Sequence, residues 1–405
     1  MEYINDYITN VISQDIDDTN NWGNIVAFMD FDGIINKKIF NKYLKYIISN
    51  NTILQKNIIK KNNNNYLQDI NIDINSYYSL YNSNYKKFDS KINIILNKNN
   101  NTHWYFNIYS DKKNKKFRLF FTINHAYADG FKIISILSSS NNKIYKPPLL
   151  NRYTHHINYF SILIGTIILL FSYVRIITNL YVFKNHKSSI KYINNTDYIK
   201  KTFDFNSIKN KSKELNVTIN DLLYSISIKT HYYYYNNQPK TVLIASPFNT
   251  GSNNSTNNFC FIFTQLDNSI KKNELITTVN TIFNYYKYSL IIPLLTVIYS
   301  IIGVYFCHTL YSKLSSDLDI LYTNMIGPKK EEVHFKNNNC NMFNINDNIR
   351  LNNTCFLMNH KKNELTFNII SYDNNMNIII SFQKNLYENK KLYYALDCAY
   401  NEIIK

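Results

Sequence analysis

Apolar residues recur at helical spacing in residues 36–48, where Ile39, Phe40, Tyr43, Leu44, Ile47 and Ile48 form one stripe. Residues 117–123, Phe-Arg-Leu-Phe-Phe-Thr-Ile, read instead as a strand. The end of that strand is apolar on both faces, which predicts a central place in a sheet. Helical spacing returns over 130–137. Further on, 217–233 reads as a helix, opened by Thr218 and Asp221 at the spacing of a capping box. Residues 241–245, 258–266, 364–372 and 376–383 read as strands, and 387–404 as a closing helix. Strands and helices mix in both halves, which predicts two α/β domains. A chain of 405 residues exceeds the usual single core, in agreement.

Two long apolar stretches interrupt this pattern. Residues 157–174 and 288–312 carry no charged side chain. A spanning helix needs about 20 apolar residues, so both are long enough to be considered. The first contains Asn158, Ser161, Thr166 and Ser172; the second contains Pro293, Gly303 and His308. The first divides the chain and is a candidate to enter or lie on a membrane. The second reads as a buried or interfacial helix. The expected organisation is an N-terminal domain over 1–150, an apolar crossover over 151–190, and a C-terminal domain over 191–405.

Composition changes this picture little. Asn, Ile, Lys and Tyr are abundant, a bias expected of an AT-rich genome, so the Asn run at 62–65 reads as a loop. The net charge is +17, from 45 basic and 28 acidic residues. Such a surface suits an anionic partner: a phosphorylated co-substrate or an anionic lipid surface. A solvated basic surface with no specific partner is the plain alternative. Nucleic acid is disfavoured, because the lysines are scattered and neither zinc-finger spacing nor a basic helix is present. The five cysteines are far apart, with no C-x-x-C pair, so neither a disulfide framework nor a zinc site is expected. The opening residues show no secretory pattern, and a reducing compartment is the expectation.

The chemistry concentrates in Ile123-Asn124-His125-Ala126-Tyr127-Ala128-Asp129-Gly130. His125 stands where the strand ends and a helix is about to begin. A histidine there is held firmly yet faces a cleft, and its ordinary pKa suits proton abstraction from a hydroxyl. Asp129 either orients His125 or turns away and fastens the loop through an arginine, with Arg350 the named candidate. Gly130 is expected to let the backbone turn. By itself H-x-x-x-D-G is short enough to arise by chance around a core histidine.

The segment 124–130 resembles the H-H-x-x-x-D-G motif of the wax ester synthase/acyl-CoA:diacylglycerol acyltransferase family. That family lies within the H-x-x-x-D acyltransferases, with chloramphenicol acetyltransferase and peptide-synthetase condensation domains. Four other segments are similar to the family in the same order. They are Thr102-His103-Trp104-Tyr105-Phe106, Val217-Thr218-Ile219-Asn220-Asp221-Leu222-Leu223, Thr323-Asn324-Met325-Ile326-Gly327-Pro328 and Ile370-Ser371-Tyr372-Asp373. Asn124 replaces the first histidine of the family's pair, and Met325-Ile326 replaces Val-Pro. The resemblance implies an α/β fold of two chloramphenicol acetyltransferase-like domains, with mixed sheets flanked by helices and an active-site tunnel between them.

It also implies acyl-CoA as co-substrate, with no permanently bound cofactor, and a lipid alcohol as acceptor, either diacylglycerol or a long-chain alcohol. His125 would be the general base and Asp129 a structural partner, with no metal. Asn324 is an oxyanion-donor candidate or caps the turn at Gly327 and Pro328. Asn220 and Asp221 help the two halves meet or simply cap a helix. Trp104 reads as core, and His103, His155 and His156 as near a surface. The apolar stretches add a membrane or lipid-droplet surface, with the active site facing the cytoplasm. Two other readings stand beside this one: an acyltransferase for a small alcohol or amine, and a non-catalytic membrane-associated protein on the same fold.

Overall fold

The computed structural model describes residues 2–3, 24–61, 64–96, 102–138, 159–182, 196–249, 259–291, 294–295, 318–327, 350–358 and 365–405. The strands of its first half are β1 (Glu2–Tyr3), β2 (Asn24–Asp32), β3 (Lys56–Lys61), β4 (Asn64–Asp69), β5 (Tyr78–Asn82), β6 (Trp104–Asp111) and β7 (Lys116–Asn124). The second half adds β8 (Thr196–Asp204), β9 (Thr241–Asn249), β10 (Phe259–Asp267), β11 (Ile320–Met325), β12 (Arg350–Met358), β13 (Leu365–Tyr372) and β14 (Asn375–Gln383). The helices are α1 (Lys37–Asn50), α2 (Phe88–Leu96), α3 (Gly130–Ser138) and α4 (Tyr159–Val182), then α5 (Phe205–Glu214), α6 (Ile219–Tyr234), α7 (Lys272–Tyr288) and α8 (Asn389–Ile404).

Two large sheets carry the fold. The five-stranded sheet runs β12-β2-β7-β6-β5, and the six-stranded sheet β10-β9-β11-β13-β14-β8; a small β1-β4-β3 sheet stands apart. Both large sheets are mixed. β5 and β6 are parallel in the first, and β11 is parallel to both β9 and β13 in the second. Helices flank both, so the expected α/β architecture of mixed sheets is what the chain adopts.

Burial explains the patterns read from sequence. β7 is the middle strand of five, and every residue from Phe117 to Ile123 is buried, so it shows no alternation. α1 sets Phe40, Tyr43, Leu44 and Ile47 against this sheet, while the Asn36 side chain accepts from Ile39 N–H at 2.9 Å to start the helix. Trp104 is core, 1% exposed, and its Nε1 donates to Leu54 O at 2.9 Å. α6 is buried from Asp221 to His231, wedged between the six-stranded sheet and its neighbours α7 and α8. That burial exceeds one amphipathic face, so its buried residues are not confined to a single stripe.

The division by chain order does not hold for residues 350–358. β12 leaves the C-terminal half and pairs with β2, as the edge strand of the N-terminal sheet. It ties the halves together. Asn377 Nδ2 on β14 donates to Asn353 Oδ1 at 2.7 Å, and Tyr372 Oη on β13 to Leu351 O at 3.1 Å. The strand eluded sequence reading because a register shift between Leu351 and Asn353 breaks its two-residue period.

The first apolar stretch forms α4. Among the described residues no helix is long and apolar enough to cross a membrane. α4 lies along α7 instead: Leu290 N–H, just beyond α7, donates to Thr166 Oγ1 at 3.0 Å. Of the second stretch, 288–312, only residues 288–291 and 294–295 are among the described residues.

Candidate active site

β7 delivers the chain to the edge of a cleft between the two large sheets. At its last residue, Asn124 N–H donates to His103 O at 2.9 Å. The Asn124 side chain then turns back, its Oδ1 accepting from Ala126 N–H at 2.9 Å, while its carbonyl accepts from Tyr127 N–H at 3.0 Å. Such Asx turns are what asparagine does well at a strand end. The residue that departs from the family's histidine pair therefore builds the loop.

Tyr127 anchors the loop from below. Its hydroxyl accepts from Ile58 N–H at 2.8 Å, and its ring stacks on His103 at 4.7 Å between centroids. Ala126 and Ala128 are fully buried, so only small side chains fit on either side of it. His103 is correspondingly half-buried rather than superficial, and burial lowers its pKa below the ordinary value. His155 and His156 lie outside the described residues.

Asp129 closes the loop. Its Oδ1 accepts from Lys132 N–H at 2.8 Å and its carbonyl from Ile133 N–H at 2.9 Å, the pattern of a helix N-cap on α3. The proposed arginine partner does not fit. Arg350 is opposite Asp32, whereas Asn124 is opposite Asn24. Eight residues of β2 separate those ends, about 26 Å, beyond any side chain's reach. Arg118 serves elsewhere: its Nη2 donates to Asp30 at 3.0 Å and its Nη1 to Asp89 at 2.7 Å.

Gly130 is needed for a reason other than the one expected. Its φ is not in the left-handed region, where Gly33 is the described glycine. A Cβ at Gly130 would instead run into the Met325 thioether, at the end of β11. Gly327 is a second close approach: its Cβ would strike the Ser371 carbonyl. The N-x-x-G and S-Y segments are thus two sides of one backbone contact. Pro328 lies outside the described residues.

His125, between the two clamped ends of its loop, is buried and lines a cavity of about 100 Å³. The five-stranded sheet and the segment after β7 supply Ile25, Asp129, Gly130, Phe131 and, from β12, Phe356 to the same wall. The facing wall comes from the six-stranded sheet, with Pro247, Phe261, Leu321, Asn324, Met325 and Asn368 among its residues. The lining is predominantly apolar with a few convergent polar groups, as small-molecule sites usually are.

Asn324 reaches this cavity but is already engaged. Its Nδ2 donates to Asn220 Oδ1 at 3.0 Å, and Tyr322 Oη donates to the same oxygen at 3.0 Å. This joins the end of β11 to the start of α6, in place of the expected turn cap. Asn220 bonds within the C-terminal half in these contacts and does not bridge the two halves through them. Asp221 completes the capping box with Thr218 and also accepts from Asn280 Nδ2 at 2.8 Å, so helix capping is its observed role.

Asn368 was not singled out from sequence. It is 3% exposed, opposite Thr323 in register, with its amide at 3.4 Å from Thr366 O. Its signal was present: one asparagine inside the otherwise buried apolar run of β13. Among the described residues no three His, Cys, Asp or Glu side chains converge as metal donors.

Residues 256–404 match the WS/DGAT C-terminal domain, the family of the wax ester synthases and diacylglycerol acyltransferases. In fold the chain is similar to the wax ester synthase/diacylglycerol acyltransferase from Marinobacter aquaeolei VT8, at TM-score 0.59 and 10% identity, over 99% of this chain and 98% of that one. It is also similar to the trichothecene 15-O-acetyltransferase from Fusarium sporotrichioides, at TM-score 0.66 and 8% identity, over 98% and 93%. The first condensation domain of the calcium-dependent antibiotic synthetase gives 0.64 and 7%, over 100% and 96%. No curated protein matches the chain by sequence. The family resemblance read from the motifs is borne out by the matched domain, and the two-domain acyltransferase fold by the solved structures.

Proposed function

We propose that this chain, an acyltransferase by its matched C-terminal domain, moves a fatty acyl group from acyl-CoA to the hydroxyl of a lipid alcohol. The reading rests on one observation: a buried histidine on a doubly clamped loop faces a mostly apolar cavity walled by both sheets. An apolar wall suits an acyl chain, and a rigid imidazole suits proton transfer.

His125 takes the proton of the acceptor hydroxyl as its oxygen bonds to the thioester carbon. The carbonyl electron pair moves onto oxygen, and the resulting oxyanion needs donors. The side-chain amide of Asn368 is the neutral donor we assign to it from the cavity wall, since the Asn324 amide is fastened to Asn220. On collapse the C–S bond breaks with its electrons on sulfur, and His125 returns the proton to the CoA thiolate. No acyl-enzyme forms, so no nucleophilic Ser or Cys is required. Asp129 acts on this chemistry through the loop it caps. The +17 charge favours capture of the CoA phosphates and of an anionic lipid surface facing the cytoplasm.

The test is direct. Purified protein given radiolabelled palmitoyl-CoA with diacylglycerol or a long-chain alcohol forms neutral lipid, and His125→Ala forms none. Equal product from both proteins removes His125 as the base. Product with short alcohols or amines alone changes the acceptor, and no product with any acceptor removes the enzymatic reading.

A further inference from the structure

α4 has two unlike sides. Gly165, Leu169 and Ile176 are buried on one of them, at spacings of four and seven residues. Gly165 fits because a Cβ there would press on the Tyr285 ring of α7, at 3.2 Å. On the other side Leu163, Ile164, Ile167, Ile168, Phe171 and Val174 are exposed, Phe171 at 71%. At 3.6 residues per turn these exposed positions, with Leu170, fill an arc of about 160° centred opposite the buried stripe. Arg175, at the margin of the arc, is the one charged residue in the helix. Leu290, bonded to Thr166, extends the patch and is 52% exposed.

These side chains together expose on the order of 600 Å² of apolar surface, at the upper limit for a monomer's largest patch. Water alone does not account for such a face. The layer beneath it leads to the site. Leu169 and Ile176 belong to one buried cluster with Leu243, Ala245, Phe263 and Leu321. Leu321 also lines the His125 cavity, as does Phe261, two residues from Phe263 on the same side of β10.

We infer that the exposed face of α4 docks the protein in the plane of a lipid surface. A lipid surface is favoured over a protein partner on two grounds. The face is apolar from Leu163 to Val174, and the one charge beside it, Arg175, is cationic. The protein's +17 charge complements anionic headgroups.

Flotation of the full chain with phosphatidylcholine vesicles, with and without phosphatidylserine, tests this. Wild type floats with the vesicles, and more so with phosphatidylserine at low salt. The double variant Ile167→Glu, Phe171→Glu lowers the vesicle-bound to free ratio at least about tenfold while keeping the wild-type melting temperature. Phe171→Trp adds fluorescence that acyl-brominated lipid quenches, a readout independent of whether the charged variant folds. Wild type left in solution with every vesicle, or no quenching at Trp in that variant, overturns the inference. So does a double variant that floats like wild type but loses a dimer mass by light scattering, since a second copy of the chain then covers the face. If docking fails in the double variant while no form of the protein makes ester with any acceptor, the docking stands and the acyltransferase reading falls.

Discussion

The loop 124–130 after β7 and the segment 324–327 at the end of β11 look alike as sequence, each an asparagine followed within a few residues by glycine. Both reach the same cavity. They are built on opposite plans. In the first, Asn124 and Asp129 use their side chains on the loop's own backbone, and His125 between them faces the cavity. In the second, Asn324 faces the cavity but is bonded to Asn220. Their glycines differ in the same sense, Gly130 lying against the flexible end of Met325 and Gly327 against the rigid Ser371 carbonyl. One loop holds the proposed base steady; the other fastens a strand to a helix and to its neighbour. A short motif can therefore mark chemistry or carpentry, and only the partners of its polar atoms tell which.

The sharpest break in that comparison comes from the two polar residues. His125→Ala should lower kcat/KM by about 10²–10⁴-fold, the usual worth of a positioned base, with the melting temperature unchanged. Asn324→Ala should do the reverse, costing about 1–2 kcal/mol of stability with kcat within a fewfold. In a double-mutant cycle with Asn220→Ala, the Asn pair should couple by about 1 kcal/mol. A large fall in kcat for Asn324→Ala at unchanged stability would instead make it the oxyanion donor and erase the contrast.

The glycines offer the next test. Gly327→Ala drives a methyl into backbone and should cost about 2–3 kcal/mol, with no neighbouring truncation restoring it. Gly130→Ala meets a side chain that can move and should cost about 1 kcal/mol. Met325→Ala should recover most of that loss, measured as coupling between the two changes by denaturant unfolding. Failure of the rescue would mean that Gly130 is required by its backbone after all.

Much of this was legible in advance, and unevenly so. The capping box at Thr218 and Asp221, the central strand under His125 and the stripe of α1 are local, and local spacing announces them. What escaped was nonlocal. Arg350 was a reasonable partner for Asp129 by type, but register places it at the opposite end of the sheet. β12 joins the other half's sheet through a bulge that hides its period. Gly130 was read as a turn residue because turns are the commoner use of glycine, whereas Met325, 195 positions later, is what requires it. Asn368 sat in plain view inside a buried strand, and no motif drew attention to it.

The smallest expected effect concerns what lies beneath the His125 loop. His103 stacks on Tyr127 and is held below its ordinary pKa of 6.5 by burial, so it folds in the neutral form. In the unfolded chain it binds a proton more readily. Stability from this residue is therefore fully present above pH 6.5 and is lost as pH falls through 6.5 toward the lower folded value. The slope is at most about 1.4 kcal/mol per pH unit, because one proton is involved. His103→Phe keeps an aromatic surface for Tyr127 and removes the titration, so its unfolding free energy should vary less with pH between 7 and 5 than that of the wild type. The same variant should leave the ester-forming rate near neutral pH within a fewfold of wild type, since His103 supports the loop and does not face the cavity. An unchanged pH slope would mean that acid sensitivity in this range comes from other groups, and that the stack beneath the loop is held by shape alone.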